Sequence, residues 1–212
     1  MQNKSKPFSI CISVFLLTIF VACSTKPSQS EKIDSTNSAK TTVTESNPAF
    51  LIFIKKFKFL PLPLTIKTLD IAADSFQKLN AKDNVFIKSE YPDEIYAYGI
   101  LPDTADFYKI IWLQPAEIEV PVLTTFSKTG KKISEKYLSV GGCGSDCGFS
   151  CAEFITIGQD LTIFSRDSIT SSDCDTAGNL KPNTTKKYIR FEKGSVLKSG
   201  KIKMSKISEK PI

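Results

Sequence analysis

The chain predicts a mainly β fold: one antiparallel domain, built as a sandwich, a barrel or a strongly curled sheet, with one short helix. Three observations carry this. Short runs rich in β-branched and aromatic residues recur between Ile95 and Lys203. Turn segments containing glycine separate them, at Lys128-Thr-Gly-Lys131, Gly158-Gln159-Asp160 and Lys193-Gly194. Only Thr68 to Ala81 has helical spacing, through Leu69, Ala72, Phe76 and Leu79.

The elements follow in order. Phe50 to Ile66 (FLIFIKKFKFLPLPLTI) allows two readings. Its aromatics and three lysines suit a membrane interface. Alternatively, Phe57 and Phe59 alternate as a first strand entering the core, and Pro61 and Pro63 make an extended lead-in. The core reading is preferred, because the apolar stretches are too short for a long amphipathic helix. Ile95 to Leu101 is a strand. Tyr108 to Gln114 (YKIIWLQ) is apolar on both faces, as a central strand should be. Ile118, Val120, Val122, Thr124 and Phe126 alternate with Glu119 and Thr125, and Ile133 to Val140 returns as the partner strand. Glu153–Ile157 and Leu161–Arg166 form the next hairpin. Tyr188–Glu192 and Val196–Lys203 form the last, turning at Lys193-Gly194.

Ahead of this body lie a basic start (Lys4, Lys6), an apolar run from Phe8 to Ala22, and Cys23. That is the anatomy of a secretory signal, and Ile19-Phe20-Val21-Ala22-Cys23 resembles the lipobox of bacterial lipoproteins. The apolar run is short for the roughly 20 residues of a membrane-spanning helix. The resemblance implies cleavage before Cys23, a diacylglycerol on its sulfur and a further acyl chain, such as palmitate, on its amine. Two or three chains anchor stably where one holds only marginally. Ser24 follows the cysteine in place of Asp, which in enterobacterial lipoproteins favours the outer membrane. The order of elements in the body is similar to that of small, uncharacterised exported β-rich lipoproteins.

Three segments result: a signal peptide at 1–22, a lipidated Cys23 with a tether to residue 47, and an antiparallel β domain at 48–212. Eleven of the 24 residues from Ser24 to Asn47 are Ser or Thr, so the tether is too polar to fold. As a coil it spans about 25–30 Å, and up to roughly 80 Å when straight. Removing Lys4 and Lys6 leaves 26 basic against 22 acidic residues, a mild, scattered positive balance with no nucleic-acid stripe.

Of six cysteines, Cys11 leaves with the signal and Cys23 is lipidated. Cys143, Cys147, Cys151 and Cys174 remain, and an even number in an exported chain suggests two disulfides. If Gly158-Gln159-Asp160 is a hairpin turn, Cys174 falls opposite Cys143 or Cys147, and Cys151 faces Asp167. Cys174 is therefore expected to pair with one of those two. The alternative is a metal or redox centre of the same four thiolates, but C-x3-C-x3-C is not the C-x2-C spacing of zinc or iron–sulfur sites.

The chain contains no histidine, which removes Ser-His-Asp and Cys-His catalysis, histidine-ligated zinc and histidine bases. It has no G-x-S-x-G, S-x-x-K or P-loop motif, and no cofactor is called for. Glu117 and Glu119 could pair for glycoside hydrolysis, yet residues two apart on a strand are more simply a solvated edge. Asp173 to Asn179 lacks the ligands of a calcium loop and reads as a polar turn. Asn183-Thr-Thr185 fits a glycosylation sequon by chance. The expectation is a membrane-anchored envelope lipoprotein, held through the lipid on Cys23, non-enzymatic, with a binding or structural accessory role toward an envelope protein or glycan. Its alternatives are the cysteine-centred metal or redox protein and a periplasmic inhibitor or immunity protein.

Overall fold

The Tyr108–Gln114 run is apolar on both faces because the strand that contains it is covered on both sides. The computed structural model describes residues 47–212 except 142 and 145; the expected signal peptide and lipobox, Cys23 and the expected tether up to residue 46 lie outside them. Sheet one is an antiparallel meander of β2 (Gln77–Lys78), β3 (Tyr96–Ile100), β4 (Phe107–Gln114), β5 (Val120–Ser127) and β6 (Lys132–Tyr137). Sheet two runs β1 (Leu64–Lys67), β7 (Phe149–Ile157), β8 (Thr162–Ser171), β9 (Lys186–Val196), β10 (Ile202–Met204), and β11 (Ser208–Pro211) also pairs with β9. The fold is mainly β, as the sequence predicts.

Alternation divides the strands of sheet one between two cores. Ile111 and Leu123 face sheet two and pack with Ile66, Ile155, Ile157, Ile163 and Val196. Ile110, Trp112, Val122 and Phe126 face the other way, onto α1 (Pro48–Ile54). The result is a two-sheet sandwich with a helix laid on its outer face. Polar contacts tie the two sheets: Thr125 Oγ1 of β5 donates to the Gly200 carbonyl in the turn before β10 (2.6 Å), and the Ile202 N–H of β10 donates to Ser134 Oγ of β6 (3.1 Å).

Among the described residues, the single helix of seven residues is not where helical spacing predicts it. Asn47 caps α1, its Oδ1 accepting the N–H groups of Ala49 (3.0 Å) and Phe50 (3.4 Å), and Pro48 takes the first helical position. Phe50 and Phe53 are buried among Phe57, Phe86 and Phe126, with ring centroids 5.0–6.1 Å apart. These rings are therefore inside the domain, as the core reading required, but Phe50, Phe53 and Phe57 lie on a helix and the turn after it rather than on the expected first strand, which begins only at Leu64. Phe59, expected beside Phe57 in the core, is instead 70% exposed.

Thr68–Ala81 is two short 3₁₀ turns followed by β2. The Ser75 hydroxyl bonds back to the Ala72 carbonyl (2.7 Å), and the Leu79 N–H donates to the Ile95 carbonyl (2.8 Å). Pairing at the edge of sheet one outweighs a weak helical propensity. The last hairpin is also displaced. β9 runs unbroken through Lys193-Gly194, and the chain turns at Leu197–Gly200, where Gly200 has φ +79°.

If α1 contributes to the core as described, Phe53→Ala will destabilise the protein by about 3–5 kcal/mol. Phe59→Ala will change it by less than about 0.5 kcal/mol. Urea denaturation of the two variants checks this, and equal losses would place both rings in the same environment.

Candidate functional site

The β7–β8 hairpin organises the most unusual chemistry among the described residues. Gly158 to Leu161 forms its turn, with the Gly158 N–H donating to the Thr162 carbonyl (2.8 Å) and Leu161 at φ +62°. Asp160 Oδ1 accepts the Thr162 N–H (3.1 Å) and hydroxyl (2.7 Å), which fixes the turn as four residues. The pairing therefore runs from Phe149↔Ser171 to Ile157↔Ile163. Cys151 faces Ile169 rather than Asp167, because the turn centre lies one residue beyond the one expected. Asp167 faces Glu153 instead.

At the open end of this hairpin the four cysteines form two disulfides, Cys143–Cys151 and Cys147–Cys174. The expected partner of Cys174 is thus Cys147. Gly148 lets the chain pass there: it has φ +70°, and a β-carbon on it would sit 2.2 Å from the Ser172 carbonyl oxygen. The Sγ atoms of Cys143 and Cys151 and a carboxylate oxygen of Asp167 lie within 4.8 Å of one another. Sulfurs joined in a disulfide supply no thiolate, so the four-thiolate centre considered above is not the arrangement present.

Beside the first disulfide is a cleft of about 180 Å³, lined by Thr68, Glu117, Glu119, Ser139, Cys143 and Glu153 among others. Thr68 follows β1, Glu117 and Glu119 lie on the approach to β5, Ser139 follows β6, and Glu153 is on β7. The cleft thus sits where the two sheets meet. Glu117 and Glu119, read from sequence as a solvated strand edge, precede the strand and form one wall. Glu119 Oε2 is buried, with no hydrogen-bond partner among the described residues. Burial raises the pKa of Glu119, and the charge of Glu94 adds to the effect.

Glu153 and Asp167 are 3% and 1% exposed, two acids buried face to face. Burial pushes the Glu153 carboxyl up to about 7. The Asp167 charge adds to this, and hydrogen bonds with Ser139 (2.5 Å) and from the Val140 N–H (3.3 Å) oppose it. Burial also raises Asp167, opposed by the hydrogen bond with Glu153 and by the charge of Arg190. Two buried carboxyls on facing positions disfavour one another's charge, so Glu153 holds its proton to higher pH than a free glutamate. Ser139 agrees with that. Its one proton has two acceptors within reach, Glu153 and the Gly141 carbonyl (2.7 Å). With Glu153 protonated, Ser139 can accept from it and donate to Gly141. Gly141 brings the chain close over the pair: a β-carbon on it would lie 3.3 Å from Asp167 Oδ2 and 3.2 Å from Arg190 Nη1.

Sequence reasoning missed Glu153 and Asp167. The available signal was a polar residue at an inward position of each alternating strand, two before Ile155 and two before Ile169. The Asp173–Asn179 segment is a polar turn: Asp175 Oδ1 accepts the N–H groups of Ala177 (2.9 Å) and Asn179 (2.8 Å).

Because the folded-state pKa of Glu153 is raised from 4.5 to about 7, the folded protein holds more protons than the unfolded chain between those values. The stabilisation is fully present below about pH 4.5 and is lost as pH rises through about 7. Thermal unfolding from pH 5 to 8 should show wild type losing on the order of 3 kcal/mol relative to Glu153→Gln. Parallel curves for the two proteins would contradict the raised value. Comparison of the chain with protein-family models, with curated proteins and with solved structures finds no match.

Proposed function

We propose that this protein is an exported, lipid-anchored binding protein of the bacterial cell envelope, without enzymatic activity of its own. The observation that carries this reading is the pair of disulfides, Cys143–Cys151 and Cys147–Cys174, at one end of the β7–β8 hairpin. Disulfides persist in oxidising compartments such as the periplasm and cell surface. That agrees with the signal-like N-terminus ending in Cys23. They close loops with sequence separations of 8 and 27 residues, for which chain entropy gives roughly 2–3 and 3–4 kcal/mol. Their role on this reading is mechanical: they hold the wall of the acidic cleft that is the binding surface. The lipid on Cys23 would keep that surface at the membrane.

The reading is tested with the full chain in a bacterial host that processes lipoproteins, fed an alkyne-bearing palmitate. The wild type is expected in the membrane fraction, labelled, with four cysteines that alkylate only after reduction. Cys23→Ala is expected to be unlabelled and released. A soluble, unlabelled wild type, or thiols reactive before reduction, would contradict the proposal.

A further inference from the structure

We propose that the acidic cleft binds the ammonium head of a primary alkylamine, with the amine's carbon stem lying along Ala116, Ile118 and Val120. The inference rests on the binding reading above and gives the ligand its chemical class. The titratable lining is all acidic: Glu117, Glu119 and Glu153 border the cleft, and no lysine or arginine is among the residues that do. Glu94 lies near enough to act on Glu119, which deepens the negative potential.

Two polar atoms of the cleft are also unmet. Thr68 lines it, is 2% exposed, and its Oγ1 has no hydrogen-bond partner among the described residues. Glu119 Oε2 is buried in the same condition. Buried polar atoms are nearly always paired, so two unpaired acceptors on one cleft indicate a missing donor. An ammonium carries three donors and no acceptor, which suits Thr68, Glu119 and the carboxyl of Glu153 together.

Geometry favours an ammonium over a bare divalent ion. Such an ion gathers oxygens at about 2.0–2.6 Å, and no three carboxylates of the cleft bring oxygens within 4.8 Å of one another among the described residues. The cleft has room for several water molecules, more than one ion fills. Its apolar lining residues, Ala116, Ile118 and Val120, are those that a methylene chain would cover. The same head group occurs on free diamines and on lysine side chains of proteins, and the experiment separates these sources.

The test is isothermal titration of the detergent-solubilised full chain with n-pentylamine, with 1-pentanol as the uncharged analogue of equal length. Saturable binding of the amine and none of the alcohol is expected. Glu119→Gln and, independently, Thr68→Val should each weaken it, the former at least about tenfold, while the exposed Glu90→Gln leaves it unchanged. Circular dichroism of each variant identifies any that fail to fold, and the remaining one then decides. Tighter binding of Nα-acetyl-lysine-N-methylamide than of cadaverine would assign the site to a protein side chain, and the reverse to a free diamine. Equal binding by wild type and both folded variants, equal binding of the alcohol, calcium binding without amine binding, or no saturable heat would each overturn the proposal. A chain that takes the palmitate label but binds no amine would refute this inference while leaving the anchored reading intact.

Discussion

Pairing of β7 with β8 is set by a four-residue turn, and most of the distinctive features of the molecule depend on that register. Because side chains alternate between faces, a slip of one residue would exchange the core and solvent sets of both strands. In the register present, Ile155, Ile157, Ile163 and Ile169 are buried. The same alternation forces Glu153 and Asp167 inward, opposite each other. The two disulfides then close the open end of the hairpin, where the turn has least influence.

Sheet one contributes differently. Its central strands are covered by sheet two on one side and by α1 on the other, so β4 has almost no solvent face. The polar groups that enter this interior are paired in a chain. Trp112 Nε1 donates to Thr124 Oγ1 (2.9 Å), Thr124 donates to Glu135 Oε2 (2.8 Å), and Lys132 Nζ closes on the same oxygen (2.7 Å). The contrast with the rest is informative: among the described residues no buried side-chain atom of sheet one lacks a partner, whereas Thr68 and Glu119 at the cleft and Ser165 and Asp167 on β8 each have one that does. Among the described residues, unmet side-chain polarity is confined to these two places, the cleft and the β8 strand beside it.

Much of the β architecture was legible in the sequence, because alternation and turn glycines report which residues face inward. β3, β4 and the β7–β8 hairpin follow directly from such patterns. The helix was not, because its seven residues are too few for periodicity to register. Its signal was local, an asparagine cap followed by proline at positions 47 and 48. Thr68–Ala81 shows the opposite failure: its spacing suits a helix, yet Leu79 is held by an edge strand contact that no local pattern encodes. The cysteine pairing was legible to within two choices. The acid pair was not, because an error of one residue in the turn centre moved Asp167 from opposite Glu153 to opposite Cys151.

Site-resolved ¹³C NMR titration of the Glu153 and Asp167 side-chain carboxyls most directly tests the claim that this register buries two acids face to face beside the cleft. The account predicts that Glu153 titrates near 7, that Asp167 titrates above the usual aspartate range, and that each signal shows an inflection from the other. Two independent titrations at ordinary carboxylate values would contradict it, and with it the placement of the pair inside the fold.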